Sequence, residues 1–566
     1  MAPSKVSSGA LKIIPHDPHA KTQTMPDADT TMMLDPPSTR DRPNSGRGTL
    51  LPVLCLWTGF LAFSFWHAPI PGVNEPHYLT KSLHAWDAAW CAGDFFLESS
   101  NAHLVFYRTV GVLTLVASFA TSALIGRVLA YGLLALAWQR LCTQLANDRW
   151  SGCISGAIFL LLASIGNFSG EWLIGGVEAK VFAYGFVFSG LASILRANFW
   201  QAGLMLGAGV AMHPLVGLWA VVAMSMAVTW RLVSDCLQSG WNQAFTSARQ
   251  FAFRQDVLLA VALFAGLSAF GVWPALKSVL SADPKLSFQA NYIQVFYRLP
   301  HHLDPMKFKT AAYIGYAILG GLAWLLNRLV RDRAPGGRPL EFLSKTIVCS
   351  GIIAATGVLI GLGPRPPAEM PYYELRMNLL KFYPFRMFDI ALPLLVSIQL
   401  AMLLSERRLL SVMLPAKSRT AIIVVCFGVA LWLNAGRGSI DRMTDAQRAD
   451  WVDLCFWVTE NTPRDSLILT PKESRSFKWF AQRPEYVAFK DCPQDAAGIV
   501  EWNNRLKFLK KWGEENWNGQ SYSAAVTKKL HTTTGITHLV SRRWGPFDAP
   551  VVYENGSYRV YQIDEL

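Results

Sequence analysis

Long apolar tracts without one ionised side chain constrain this chain more than any other feature. The stretches 257–276, 310–327, 346–363 and 420–434 contain no Asp, Glu, Lys or Arg. With their apolar flanks they reach the roughly 20 residues that a helix needs to cross a hydrocarbon core. Over all 566 residues, 52% are apolar, 16% are charged and mean hydropathy is +0.24, which places the chain among integral membrane proteins. A net charge of +13 in a soluble protein would point to nucleic acid. Here Arg328, Arg331, Arg333 and Arg338 crowd one short connection, and Arg407, Arg408, Lys417 and Arg419 another. That is the positive-inside bias of a membrane protein, so no nucleic-acid partner is expected.

Threading the chain with basic connections in the cytoplasm gives an α-helical polytopic protein of about 11 transmembrane helices, with spans near 50–66, 128–146, 152–168, 181–197, 201–212, 215–231, 256–276, 310–327, 346–363, 387–404 and 420–434. Residues 1–48, rich in Pro, Ser, Thr and Asp, read as a disordered cytoplasmic tail. The first apolar run shows no cleavage site and reads as a retained helix. Segment 49–436 is the membrane domain, and 67–105 is a large first outer loop. The run 109–126, apolar but followed at once by Arg127, reads as a helix lying in the outer leaflet. The pair His213-Pro214 breaks one long apolar run into two short helices.

Beyond residue 437 charges return. Segments 465–470 and 537–541 read as short buried strands, and 551–561 as a β-hairpin turning at Asn555-Gly556. Glu501 to Trp517 reads as a charged helix. Residues 437–566 therefore form a soluble α/β domain, and an odd span number puts it outside the cytoplasm. The nine cysteines contain no CxxC pair and no zinc-like spacing. For Cys455 and Cys492 a disulfide and two free buried thiols both remain open.

The polar residues in and beside the apolar region fall on alternate connections, so all face the outer side. Ionised groups at this depth cost roughly 2.5–3.5 kcal/mol at the bilayer centre and need a reason. Glu75, in a turn bracketed by prolines next to His77, suits a general base or a ligand for a divalent cation; the bland alternative is a helix cap. Asp87 and Asp94 stand in reserve in the same loop. Glu178 and Lys180 suit either a substrate site or a structural ion pair. His213 is either a helix breaker or a ligand-facing group. Arg298, His301 and His302 cluster before Asp304, and Arg376 and Arg386 add cations near a later span. Guanidinium binds phosphate oxygens bidentately, so these residues suit a phosphate. An Arg386–Asp389 pair within one helix is the competing reading.

On these features the chain resembles the type C glycosyltransferases, polytopic enzymes that use polyprenyl-phosphate-linked sugars, and looks most like uncharacterised bacterial members of that family. The matching features are the acidic first outer loop (Glu75, Asp87, Asp94), an arginine at the outer end of the second span (Arg127), about eleven helices and an outer carboxy-terminal domain. The resemblance implies glycosyl transfer to an extracytoplasmic acceptor at a plasma membrane. It makes Glu75 or Asp94 the base or the holder of Mg or Mn. It gives Arg127, Arg298, His302 or Arg386 the phosphate of a polyprenyl-phosphate sugar donor set among membrane lipid. The first loop carries Asn-Glu-Pro-His-Tyr where the family has an adjacent Asp-Glu pair or DxD, which leaves metal dependence open. A carrier coupled through Glu178, Lys180 and His213, and a non-catalytic scaffold with an outer binding domain, are the other readings.

Overall fold

The computed structural model describes residues 50–146, 148–280, 282–331, 337–405, 416–435, 440, 443–472 and 474–566. The amino-terminal segment 1–48 and the arginines at 333, 407 and 408 lie outside the described residues. Among these, seven helices are long and apolar enough to cross a membrane. They are α1 (Leu50–His67), α3 (Phe119–Leu145), α7 (Pro214–Ser239), α8 (Gln255–Leu280), α9 (Thr310–Arg331), α10 (Gly337–Gly361) and α11 (Arg386–Ser405). Shorter apolar helices alternate with them: α4 (Ser151–Ile165), α5 (Ala179–Leu195), α6 (Phe199–Met212) and α12 (Ala416–Leu433). A short helix α2 (Glu75–Trp86) follows α1.

Small residues let these helices approach closely, as packing within lipid requires. A Cβ at Gly203 of α6 would collide with the Ala260 carbonyl of α8, and one at Gly271 of α8 with the Ala211 carbonyl of α6. Of the seven long helices α11 is the most enclosed and α8 the most exposed, with Leu258, Val261, Phe270 and Trp273 on the bundle's outside.

The run 109–126 differs from expectation. It is not one surface helix: short helical turns end at Val116, Ser118 caps Thr121, and α3 then runs unbroken through Arg127 to Leu145. Arg127 therefore sits inside a span rather than at its end. An apolar first turn followed by an arginine reads as a boundary in one dimension. In three dimensions the arginine has a partner.

Beyond Met443 the chain forms α13 (Asp445–Asn461), α14 (Ala496–Asn516) and α15 (Ala524–Thr534) around a sheet of order β1-β2-β4-β3. The strands are β1 (Ile468–Leu469), β2 (His538–Ser541), β3 (Val551–Glu554) and β4 (Arg559–Gln562). β1 and β2 run parallel, and the other pairs are antiparallel, with β3 and β4 joined through Asn555-Gly556. Alternation along the strands splits the core. Leu469, Leu539 and Tyr561 join Trp502 and Trp512 of α14 on one face. Ile468, Val540 and Val560 join Trp451 and Val458 of α13 on the other. Cys455 and Cys492 are buried in these two different cores and form no disulfide with each other.

The two ends of the bundle differ. At one, Arg419 pairs with Asp148 at 2.6 Å. At the other, connections 68–118 and 282–309 meet the carboxy-terminal unit, through contacts such as Asn74 with Lys490 and Arg298 with the Lys490 carbonyl. The positive-inside expectation puts the first end in the cytoplasm. In a cysteine-free background, Gln520→Cys should react with an impermeant maleimide in intact cells, and Ala334→Cys only after permeabilisation. The reverse pattern overturns this orientation.

Candidate functional site

Glu75 opens α2 behind a Pro-Gly-Val-Asn turn, with Pro76 in the first helical turn. Its carboxylate is fully buried and meets the guanidinium of Arg127 bidentately, Nε to Oε1 at 2.7 Å and Nη2 to Oε2 at 2.8 Å. The backbone N–H groups of Gly72 and Val177 donate to the same oxygens at 2.6 and 2.8 Å. Arg127 Nη1 donates to the Ala68 carbonyl at 2.6 Å and to Ser64 Oγ at 3.2 Å. Gly72 has no room for a side chain, because a Cβ there would stand 3.0 Å from Arg127 Nη2 and 3.2 Å from Gly176 Cα. The expectation of a surface base or metal ligand at Glu75 meets a carboxylate saturated by four donors. Arg127, expected on a lipid phosphate, spends its donors on protein. Among the described residues no three His, Cys, Asp or Glu lie close enough together to hold a metal ion.

Asp94, the reserve base, is buried too. It accepts from Leu97 N–H at 2.8 Å and Glu485 N–H at 2.9 Å, and lies 3.4 Å from Lys478 Nζ. Lys478 also meets Glu485 at 2.6 Å and Asp491 at 2.7 Å, and Asp491 meets His77 Nδ1 at 3.0 Å. Burial opposes the charge on Asp491, yet Lys478 and His77 hold its carboxyl well below the usual range. Burial likewise opposes the charge on Lys478, but Asp491, Asp94 and Glu485 hold it on. His77 and Asp94 therefore fasten the first loop to the carboxy-terminal unit.

A different row of charges lies beside the Glu75 seal. Asn74 Nδ2 donates to Glu178 Oε1 at 2.6 Å, and Lys490 Nζ donates to Asn74 Oδ1 at 2.5 Å. Lys180 stands 3.4 Å from Glu178 and 3.2 Å from Glu171, over the Trp172 ring at 3.8 Å. Arg386 stands 3.0 Å from Glu171, 3.2 Å from His213 Nε2 and over the Tyr383 ring. His213 caps α7 through Val216 N–H and packs against His103, ring centroids 4.8 Å apart. The row joins four connections at one end of the bundle.

Asp389 explains how loop 166–171 is held. It accepts from the N–H groups of Phe168, Ser169 and Glu171, from Ser169 Oγ and from Tyr316 OH. The intrahelical Arg386–Asp389 pair is thus absent, since three buried loop amides claim the aspartate and Glu171 claims the arginine. His302 Nδ1 contacts the Ser169 carbonyl of that loop at 2.5 Å, and burial lowers the imidazole to about 4. His301 is exposed and stacks on His302. Arg298 Nη2 donates to the Lys490 carbonyl at 3.3 Å. Arg376 stands apart, capping the Leu362 carbonyl at 2.7 Å.

Satisfaction separates the two carboxylate groups. Every polar atom of Glu75 is paired. In the row, Glu171 Oε1 meets Lys180 Nζ at 3.2 Å and Arg386 Nε meets Glu171 Oε2 at 3.0 Å as ion pairs without hydrogen-bond alignment, and His103 Nδ1 is buried with no hydrogen-bond partner among the described residues. Buried groups of this kind call for an explanation, and an intended ligand is one. The environments also push the two glutamates apart. Burial opposes ionisation of Glu171, but Arg386 and Lys180 outweigh it and hold the carboxyl below its ordinary value. At Glu178 burial wins over Lys180 and raises it. Glu171, His103, Asn74 and Lys490 are the members that residue spacing did not select. Glu171 was visible as a carboxylate on the same face, whereas His103 and Lys490 carry no local signal.

A domain of unknown function (DUF6798) matches residues 449–509. No curated protein matches the chain. Among solved structures, the chain is similar to ArnT from Cupriavidus metallidurans bound to undecaprenyl phosphate, at 12% identity and TM-score 0.48, over 90% of this chain and 97% of that one. It is also similar to the archaeal oligosaccharyltransferase AglB from Archaeoglobus fulgidus, in complex with an inhibitory peptide and a dolichol-phosphate, at 11% identity and TM-score 0.37, over 87% and 69%. Both belong to the type C glycosyltransferases that the loop layout resembles.

Removing one member of a buried, saturated ion pair costs about 3–5 kcal/mol, because the other charge is left without compensation. Glu75→Gln should therefore lower the thermal midpoint and folded yield in detergent. The same substitution at exposed Glu501 should leave both unchanged. A Glu75→Gln protein of normal stability and no activity would return Glu75 to a direct role in the chemistry.

Proposed function

We propose that the chain transfers a sugar from a polyprenyl-phosphate carrier to an acceptor hydroxyl at the non-cytoplasmic face of the plasma membrane. The observation that carries this reading is the enclosed row of alternating charges Glu178–Lys180–Glu171–Arg386. It sits at one end of an apolar bundle, where a lipid tail can lie beside the helices while its phosphate meets cations.

Glu178 is the general base. Burial raises its carboxyl towards working pH, which suits proton transfer, whereas Glu171 is held ionised by its cations and serves to position them. Glu178 takes the acceptor hydroxyl proton and the acceptor oxygen bonds to the anomeric carbon. The bond from that carbon to the phosphate oxygen breaks, and polyprenyl phosphate leaves with the electron pair. Attack and departure on opposite faces invert the anomeric centre. Arg386 and Lys180, steered by Glu171, stabilise charge on the departing phosphate, and Lys490 adds a third cation. Glu75, Asp94 and Arg127 hold the frame in which these groups stand. His302, with Ser169, positions the loop that carries Glu171.

Glu178→Gln should lower turnover on the order of 10²–10⁴-fold, the usual range for a positioned acid or base. Purified protein, a radiolabelled polyprenyl-phosphate sugar and a hydroxyl acceptor measure this. Retained turnover removes Glu178 from the chemistry, and absence of donor binding by the unaltered protein removes the transfer reading.

Burial, helped by Arg298, lowers Lys490 to about 8. Its charge is present below that value and lost above it, so the donor KM should rise between pH 7 and pH 9. Lys490→Arg keeps its charge throughout and should give a flat profile. An identical rise in that variant assigns the titration to another group.

A further inference from the structure

A second concave site lies in the carboxy-terminal unit, lined by no member of the charge row. It is a cleft of about 1070 Å³. Helix α14 supplies one wall: Lys507, Lys510 and Glu514 recur at helical spacing along its exposed face, and Trp517 follows at its carboxy-terminal cap. Lys472 and Arg475 come from the connection after β1, and Arg542 and Arg543 from the end of β2. Six cationic side chains thus line the cleft against one carboxylate, Glu514, among the described residues. Glu514 meets only Lys510, at 3.7 Å and largely in solvent. Arg475, Lys507, Arg542 and Arg543 make no ion pair among the described residues.

The other wall is aromatic and rigid. Trp544 Nε1 donates to Tyr522 OH at 2.9 Å, and Tyr522 OH donates to the Gly513 carbonyl at 3.0 Å. Trp517 packs against Tyr522 with centroids 5.2 Å apart and is itself 42% exposed, so its ring is available. At the base, Ser474 is only 3% exposed, and its buried Oγ has no hydrogen-bond partner. Tyr297, from the connection between α8 and α9, is the one lining residue outside the carboxy-terminal segment, so the cleft borders the membrane domain on the same end as the charge row.

We propose that this cleft binds an anionic saccharide chain, with carboxylate or phosphate groups on the arginines and lysines and sugar faces on Trp517 and Trp544. Unpaired guanidinium groups match oxyanions bidentately. Rigid aromatic side chains offer large apolar contact at little entropic expense, as the apolar C–H faces of a pyranose require. The cleft is larger than a single monosaccharide needs and falls at the upper end of ligand-pocket sizes. This is a binding claim and stands whether or not the charge row transfers sugar.

The test is calorimetric titration of the full-length protein in detergent at physiological salt. The probes are a hexasaccharide of galacturonic acid, its fully methyl-esterified neutral form, phosphorylated maltohexaose and a six-nucleotide oligothymidylate. Saturable binding of either acidic hexasaccharide, at least tenfold tighter than the neutral form, is expected, and the tighter of the two identifies carboxylate or phosphate as the natural anion. Trp517→Ala and the double substitution Arg542→Glu, Arg543→Glu should each weaken it about tenfold without moving the thermal midpoint. The charge-matched pair Lys528→Glu, Lys529→Glu on α15 should leave it unchanged. No binding of either acidic hexasaccharide, tighter binding of the oligonucleotide, or an equal loss in the Lys528, Lys529 variant overturns the proposal.

Discussion

The Arg127–Glu75 pair is the contact on which the outer end of this molecule depends. Two ions removed from water lose several kcal/mol of hydration each, and mutual attraction compensates only with good geometry and further hydrogen bonds. Here both conditions hold. Arg127 reaches from the middle of α3 to the carbonyl at the end of α1, and Glu75 draws the amides of Gly72 and Val177 onto itself. Three stretches far apart in sequence are thereby set at fixed distances. Asn74 and Glu178 flank that junction on either side, so their 2.6 Å contact follows from the seal rather than from any affinity of their own.

Membrane architecture was legible because hydrocarbon enforces it: charge-free tracts and the proline break at His213 each state a local requirement. So did the hairpin at Asn555-Gly556 and the alternation that divides the two cores of the sheet. Roles of charged residues were not legible, because each depends on a distant partner. Glu75 meets Arg127 across 52 residues, and Asp389 meets the loop at Phe168 across 221. Arg386 and Asp389, three residues apart, invited a helical pair worth a few tenths of a kcal/mol. Buried amides without an acceptor are dearer than that, and they took the aspartate.

The same comparison separates scaffold from site. Glu75 and Arg127, which close the outer junction, have all their hydrogen bonds made. The row around Glu171 and Arg386 is held by ion pairs of poorer alignment, and Arg386 is the less enclosed partner. A carboxylate visible on the outer face is thus weak evidence of chemistry until its partners are counted. Glu75, with the strongest local context, is the most fully engaged, and Glu178, with a plainer one, faces the unfinished contacts.

The latch between the first loop and the carboxy-terminal unit has a consequence for biogenesis. His77 and Asp491 are 414 residues apart, Asn74 and Lys490 are 416, and Asp94 and Glu485 are 391. At the 5–20 residues per second of protein synthesis, the first loop waits roughly 20–80 s for its other half. During that interval Asp94 and Lys81 stand beside an open membrane surface, with no Lys478 to neutralise the aspartate. A nascent chain stalled before Lys478 presents to quality control a carboxylate-bearing loop that the finished protein never shows.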